Sequence, residues 1–184
     1  YAPLLAKRLL AEAGYGNGTA GVGHFPTVHF LHTHALGDDG QIRFLQRAWQ
    51  QHLGLTIEVT TLPWAAFQHR LATDPPHLML SGWLADYPDP DNFLRVLFHS
   101  QEGQNEPRWQ NAQFDAGASA AACETVPERR LALYQELDRL LINQEAVVMP
   151  LSYGKGSVLM KPWLRHYRYG RAYSRYLKKL IVQG

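Results

Sequence analysis

Cysteine occurs once in the 184 residues, as Cys123, which excludes an internal disulfide, a thiolate-built zinc cage and dithiol redox chemistry. It leaves the compartment open, because many exported bacterial proteins carry no disulfide. Excess charge of either sign is missing too. Lys plus Arg is 18 against 16 Asp plus Glu, a formal +2, too weak a basic field to recruit a phosphate backbone, so no direct nucleic-acid partner is expected. No apolar run approaches the ~20 residues that cross a bilayer, and Tyr1 to Arg8 lack the cationic-then-apolar order of a signal peptide. Enzyme signatures are equally thin. There is no Gly-x-Ser-x-Gly elbow, no phosphate-binding glycine loop ending in Lys-Ser/Thr and no helical His-Glu-x-x-His, and Gly21-Val22-Gly23 precedes a strand pattern where a dinucleotide site needs to follow one. A non-enzymatic chain without a cofactor is expected.

What is present is a foldable composition. With 46% hydrophobic and 18% charged residues, disorder is disfavoured, and a compact fold of this size buries about 70% of the surface of its unfolded chain. The chain opens without Met, directly into a helical pattern (Leu4, Leu5, Leu9, Leu10, Ala13) that stops at Gly14 and Gly16. A segment of something longer, or a mature form, is expected.

Hydrophobic periodicity then alternates. Thr27 to His34 reads as a strand, and Gln41 to Leu53 as a helix with Ile42, Leu45, Ala48, Trp49 and Leu53 on one stripe and Gly54 as its stop. Leu55 to Leu62 reads as a strand, the stretch after Pro63 as a helix through Trp64, Phe67 and Leu71, and His77 to Trp83 as a short strand. Strands separated by helices imply parallel crossovers, hence an α/β sheet flanked by helices. Farther on, a helical turn is expected over Phe93 to Phe98 and a helix over Pro127 to Asn143, capped by Thr125 and Glu128, with Leu131, Tyr134, Leu137 and Leu141 buried. Val147 to Tyr153 and Ser157 to Met160 read as strands. From Pro162 the composition turns to Arg, Lys and Tyr without periodicity.

The densest chemistry lies in Gly82 to Leu94 (GWLADYPDPDNFL), which sets Trp83, Tyr87 and the carboxylates of Asp86, Asp89 and Asp91 beyond the C-terminal end of a strand, where open α/β sheets present ligand sites. A ring beside a carboxylate suits a cationic amine. Asp89 and Asp91 read as turn builders around Pro88 and Pro90, with Asp91 or Asn92 capping the next helix. His32 and His34 share one face of an expected strand, a spacing that can ligate a metal; nothing nearby supplies an obvious third and fourth ligand, and the plainer reading is surface histidines with no metal. Of the five tryptophans, Trp64, Trp83, Trp109 and Trp163 could stack on a ligand, and Trp49 belongs to a core.

GWLADYPDPDNFL resembles the signature loop of family 5 of the extracytoplasmic solute-binding proteins, which includes the oligopeptide-, dipeptide- and nickel-binding proteins of ABC transporters. LAKRLLAEAGY, HLGLTIEVTTLPWAAFQHRL, RWQNAQFDA and PERRLALYQELDRLLINQEAVVMPL resemble further family stretches in the expected order, across residues 4 to 160. The resemblance implies a periplasmic-binding-protein-like lobe, with a mixed sheet flanked by helices. Residues 1–165 are then the C-terminal ligand-binding lobe of a two-lobe protein, and 166–184 a return segment toward the other lobe, loosely packed. It implies a peptide or other small solute as ligand and an ABC transporter permease as the partner of the full-length protein. It places the parent in the periplasm or outside the cell, tethered if a lipoprotein. Asp86 occupies the position that holds a peptide's α-ammonium, with Trp83 and Tyr87 beside it; His32, His34, Trp109 and Tyr153 complete the expected ligand-binding set. Dipeptide binders carry an Arg just after the first strand. Here that stretch is His32-Thr33-His34-Ala35-Leu36, which points to a longer peptide, a sugar or a metal chelate. A similar domain also occurs behind winged-helix regions in bacterial transcriptional regulators, the alternative setting, cytoplasmic in that case.

Overall fold

A computed structural model describes residues 2–16, 25–36, 39–154, 159–166, 168–169, 175–176 and 180–182. The chain divides into two compact units, Tyr1–Gly82 and Trp83–Gly184.

The first unit is built on a parallel three-stranded sheet. β1 (Val28–His32) is central, with β2 (Ile57–Thr61) on one side and β3 (Leu78–Met79) on the other. β1 pairs with β2 from Val28↔Ile57 to His32↔Thr61, and with β3 through Phe30↔Leu78 and Leu31↔Met79. Parallel neighbours require crossovers, and these are α2 (Asp39–Leu53) between β1 and β2 and α3 (Trp64–Thr73) between β2 and β3. Successive strand residues point to opposite faces, so Phe30 and Leu31 enter different cores. Phe30 packs with Ile42, Ile57 and Leu80, joined by Val28, Trp49 and Val59. Leu31 packs with Phe67 and Leu71, joined by Leu36, Leu62 and Met79. Each face is thus covered by one helix, which is why Phe30 and Leu31, adjacent in β1, are both buried.

The helix stops follow the glycines. After α1 (Pro3–Glu12), Gly14 takes φ +90°, its N–H bonds Ala11 O at 2.9 Å and the Tyr15 N–H bonds Leu10 O at 3.0 Å, the paired bonds of a Schellman end. Gly54 stops α2 with φ +70°. α1 buries none of its residues, and Leu4 and Leu9 stay exposed.

The second unit is helical. A 3-10 turn at Pro90–Asn92 leads into the one-turn α4 (Arg95–Phe98), and then α5 (Ala112–Cys123) pairs with α6 (Pro127–Arg139), which runs on as a π-helical turn over Leu140–Gln144. Their shared core is Leu94, Phe114, Ala118, Ala121, Tyr134, Leu137, Leu140 and Leu141. Gly117 permits the close approach of the two helices, since a Cβ there would lie 2.8 Å from Leu137 Cδ2. α5 is capped by the Asn111 side chain, which accepts from the Phe114 N–H at 3.0 Å.

Several expectations are corrected here. The α6 N-cap is Val126, with Pro127 at the first helical position; instead of Thr125 and Glu128 forming a capping box, Glu124 Oε1 accepts from the Val126 N–H at 2.8 Å. Leu131 is exposed, while Tyr134, Leu137 and Leu141 of that stripe are buried in the core shared with α5. Trp64 is half exposed at the start of α3, and the strand expected over His77 to Trp83 shrinks to Leu78–Met79. Residues 147–153 form no strand: Val147 and Val148 pack on the helical core in irregular backbone. Part of the strand expected over Ser157 to Met160 lies outside the described residues; Leu159 and Met160 are irregular. The aperiodic tail folds back on itself, β4 (Leu164–Arg165) pairing antiparallel with β7 (Ile181–Val182), and β5 (Arg168–Tyr169) with β6 (Arg175–Tyr176). Among the described residues no helix is long and apolar enough to cross a membrane.

Candidate functional site

The loop from Trp83 to Asn92 is organised by one buried amide. Asn92 is 1% exposed. Its Oδ1 accepts from the Trp83 indole Nε1–H at 2.7 Å and from the Asp86 backbone N–H at 3.0 Å, and its Nδ2 reaches Asp86 Oδ2 at 3.4 Å. An amide offers both an acceptor and donors, so one side chain fixes an indole and a backbone at once. Asp86 is therefore fastened through its main chain, while its carboxylate stays exposed and accepts only the long bond from Asn92 among those described. The half-buried Trp83 is oriented by the same amide. Trp83 and Asp86, singled out in the sequence, meet at Asn92, to which sequence reasoning gave no role beyond capping.

The other two acids of the loop are structural, as their turn chemistry suggested, with longer reach. Asp89 caps the 3-10 turn by accepting from the Asp91 N–H at 2.9 Å, and also forms a two-pronged pair with Arg130 of α6, Nη1 to Oδ2 at 2.8 Å and Nη2 to Oδ1 at 2.9 Å. Asp91 is 5% exposed and accepts from Arg95 Nε at 2.6 Å, Arg95 Nη2 at 2.9 Å, the Tyr87 hydroxyl at 2.5 Å and the Tyr134 hydroxyl at 3.1 Å. Arg95 dominates its ionisation and holds the carboxyl at about 2, against the ordinary 3.8, in spite of burial that acts the other way. Its partners shift in response. The hydrogen bond to Asp91, then burial, raises Tyr87; burial, then the Asp91 charge, pushes Tyr134 up to about 12; the Asp91 bond raises Arg95. Tyr87, expected on the ligand wall, directs its hydroxyl to Asp91, and the residue as a whole is 38% exposed.

The remaining candidates fall elsewhere. Trp109 packs edge-on against Phe114, ring centroids 4.9 Å apart, on the helical core, while Tyr153 is 98% exposed. His32 and His34 belong to the first unit and lie at the end of β1. His32, the last residue of the strand, is fully buried, which corrects the surface reading; His34 is exposed in the turn beyond it, their rings 5.7 Å apart edge to face. Sequence proximity missed a third polar partner. Asp39, the first residue of α2, brings Oδ1 to 3.3 Å from His32 Nε2 and 3.2 Å from His34 Nδ1.

Residues 1–105 match the family model described as Bacterial extracellular solute-binding proteins, family 5 Middle. The chain belongs to this family. Among family 5 relatives, it is 31% identical to the probable deoxycholate-binding periplasmic protein YgiS of Escherichia coli over 161 residues, 87% of this chain and 29% of that protein. It is 26% identical to the periplasmic oligopeptide-binding protein OppA of Escherichia coli over 163 residues, 88% of this chain and 28% of that one. The family 5 chain thus spans about three-tenths of the length of these relatives. Its fold superposes on the Escherichia coli murein tripeptide binding protein MppA with a TM-score of 0.81 at 24% identity, covering 99% of this chain and 35% of that one. It also superposes on the Helicobacter pylori periplasmic binding protein DppA in complex with peptide STSA, with a TM-score of 0.63 at 27% identity, covering 77% of this chain and 27% of that one. The α/β, periplasmic-binding-protein-like fold expected from the sequence is the fold observed.

Proposed function

We propose that this chain is the C-terminal lobe of an ABC-transporter substrate-binding protein that captures a peptide-like solute bearing a free amine. Residues 1–165 are the lobe and 166–184 the return segment toward its partner lobe. The observation that carries the reading is the division of labour at Asp86: its backbone is pinned by Asn92 and its carboxylate is left exposed beside an oriented indole. A carboxylate so held offers charge and two acceptors to an ammonium group without rearrangement, and the Trp83 ring adds cation–π contact. Tyr87 widens the aromatic wall, and Tyr153 and Trp109, in the same unit, are the other candidates for contact with the solute. The parent works in the periplasm or outside the cell. Closure on the solute gives the form that a membrane permease recognises, because the closed state binds the solute better than the open one. Binding, and no turnover, is the activity.

The test uses the full-length parent and calorimetry with matched peptides, one with a free N-terminus and one acetylated. Asp86→Asn weakens the free-amine peptide tenfold or more, about 1.4 kcal/mol, and leaves the acetylated one unchanged. Equal affinity of wild type and variant for the free amine overturns the assignment of Asp86.

A further inference from the structure

A second polar cluster lies at the end of β1, within the first unit. His32 has 1% of its side chain exposed, and neither Nδ1 nor Nε2 makes a hydrogen bond. A buried imidazole left in that state is costly, roughly 1–3 kcal/mol for each unpaired group, and native interiors rarely carry one without a reason. Its Nε2 faces the two other donors already described, Asp39 Oδ1 at 3.3 Å and, across that oxygen, His34 Nδ1, itself 3.2 Å from the carboxylate. The three ligating atoms lie within 4.8 Å of one another. Ligands held ~2.0–2.1 Å from a tetrahedral centre stand about 3.3–3.4 Å apart, so the two edges that meet at Asp39 have the length a bound ion demands. The third edge, between the imidazoles, is set by His34, whose side chain is 71% exposed in a turn and free to close on the site. Arg43 Nη1, 3.7 Å from Asp39 Oδ2, engages the far oxygen and leaves Oδ1 to the histidines.

We propose that His32, His34 and Asp39 bind a divalent transition-metal ion of the zinc class, with a fourth coordination position open to water or to a donor from another molecule. Two imidazoles and one carboxylate match Zn2+, Co2+ and Ni2+; Mg2+ and Ca2+, which demand oxygen cages, do not fit. Coordination through Nε2 gives the buried ring the bond that the nearby Asp39 carboxylate does not supply as a hydrogen bond. The proposal stands apart from the solute reading, since all three ligands lie in the first unit and none belongs to the Trp83 loop.

The experiment titrates the full 184-residue chain with Zn2+ by calorimetry and with Co2+ by visible absorption. His32 is wholly interior, so the accessible His34→Ala and Asp39→Asn variants carry the test, with circular dichroism to confirm that both fold. One equivalent of Zn2+ is expected, weakened tenfold or more by either substitution, together with Co2+ bands of tetrahedral intensity that vanish in the double variant. A His29→Ala, His77→Ala protein, altered at a separate, stacked histidine pair, keeps the site. The proposal is overturned if binding is absent or non-saturating, if the double variant binds as wild type does, or if the His29 and His77 substitutions abolish it.

Discussion

Asn92 and His32 are both polar, both almost fully buried, and opposite in circumstance. Asn92 satisfies an indole, a backbone amide and a carboxylate; His32 satisfies nothing by hydrogen bonding. The first is a hub whose worth lies in what it already holds. The second is unspent capacity, and the difference separates a scaffold residue from a ligand in waiting. A buried polar group with all its bonds rigidifies a loop, whereas one with none destabilises the fold unless something outside the chain completes it.

Four measurements press on that contrast. The largest effect is expected from Asn92→Leu, which strands the Trp83 N–H and the Asp86 amide; urea unfolding should show a loss of roughly 3 kcal/mol. Next comes acid. The Asp91 carboxyl is depressed in the folded state from 3.8 to about 2, so its contribution is complete above about pH 4 and is lost as pH falls toward 2. A drop of roughly 2 kcal/mol across that window is expected, and it should disappear in Asp91→Asn. A smaller effect is expected at His32. His32→Leu removes two unpaired buried nitrogens and, in metal-free buffer, should destabilise by no more than about 1 kcal/mol; a cost matching that of Asn92→Leu breaks the comparison. The least is expected at Asp86, where Asp86→Asn should shift the unfolding midpoint by under roughly 0.5 kcal/mol, because the backbone makes the tie and the side chain is exposed.

Much of the first unit was legible because helices and strands there alternate around a sheet buried on both faces, so Ile42, Phe67 and Leu71 announce themselves by helical period and β1 by its β-branched and aromatic residues. Gly14 and Gly54 were legible as stops for a steric reason, the positive φ that closes a helix. In the second unit, periodicity located α6 but not which part of its stripe meets α5, so Leu131 was placed inside wrongly. Residues 147–153 carry strand-like residues with no neighbouring strand to pair with among the described residues, and propensity yields to packing there. In the site, the aromatic and acidic residues of the loop were visible as types. Their roles were not, because what distinguishes Asp86 from Asp91 is burial and an arginine four residues on. Asp39 escaped notice because it reaches the histidines across a turn rather than along a strand, and sequence spacing has no measure of that.

The attachment of position 86 through its amide has an evolutionary corollary. A residue anchored by its main chain can exchange its side chain without disturbing the loop that carries it, so the chemistry offered to a guest and the geometry that offers it are free to drift separately. Selection for a new guest can start at that position, with the architecture already in place.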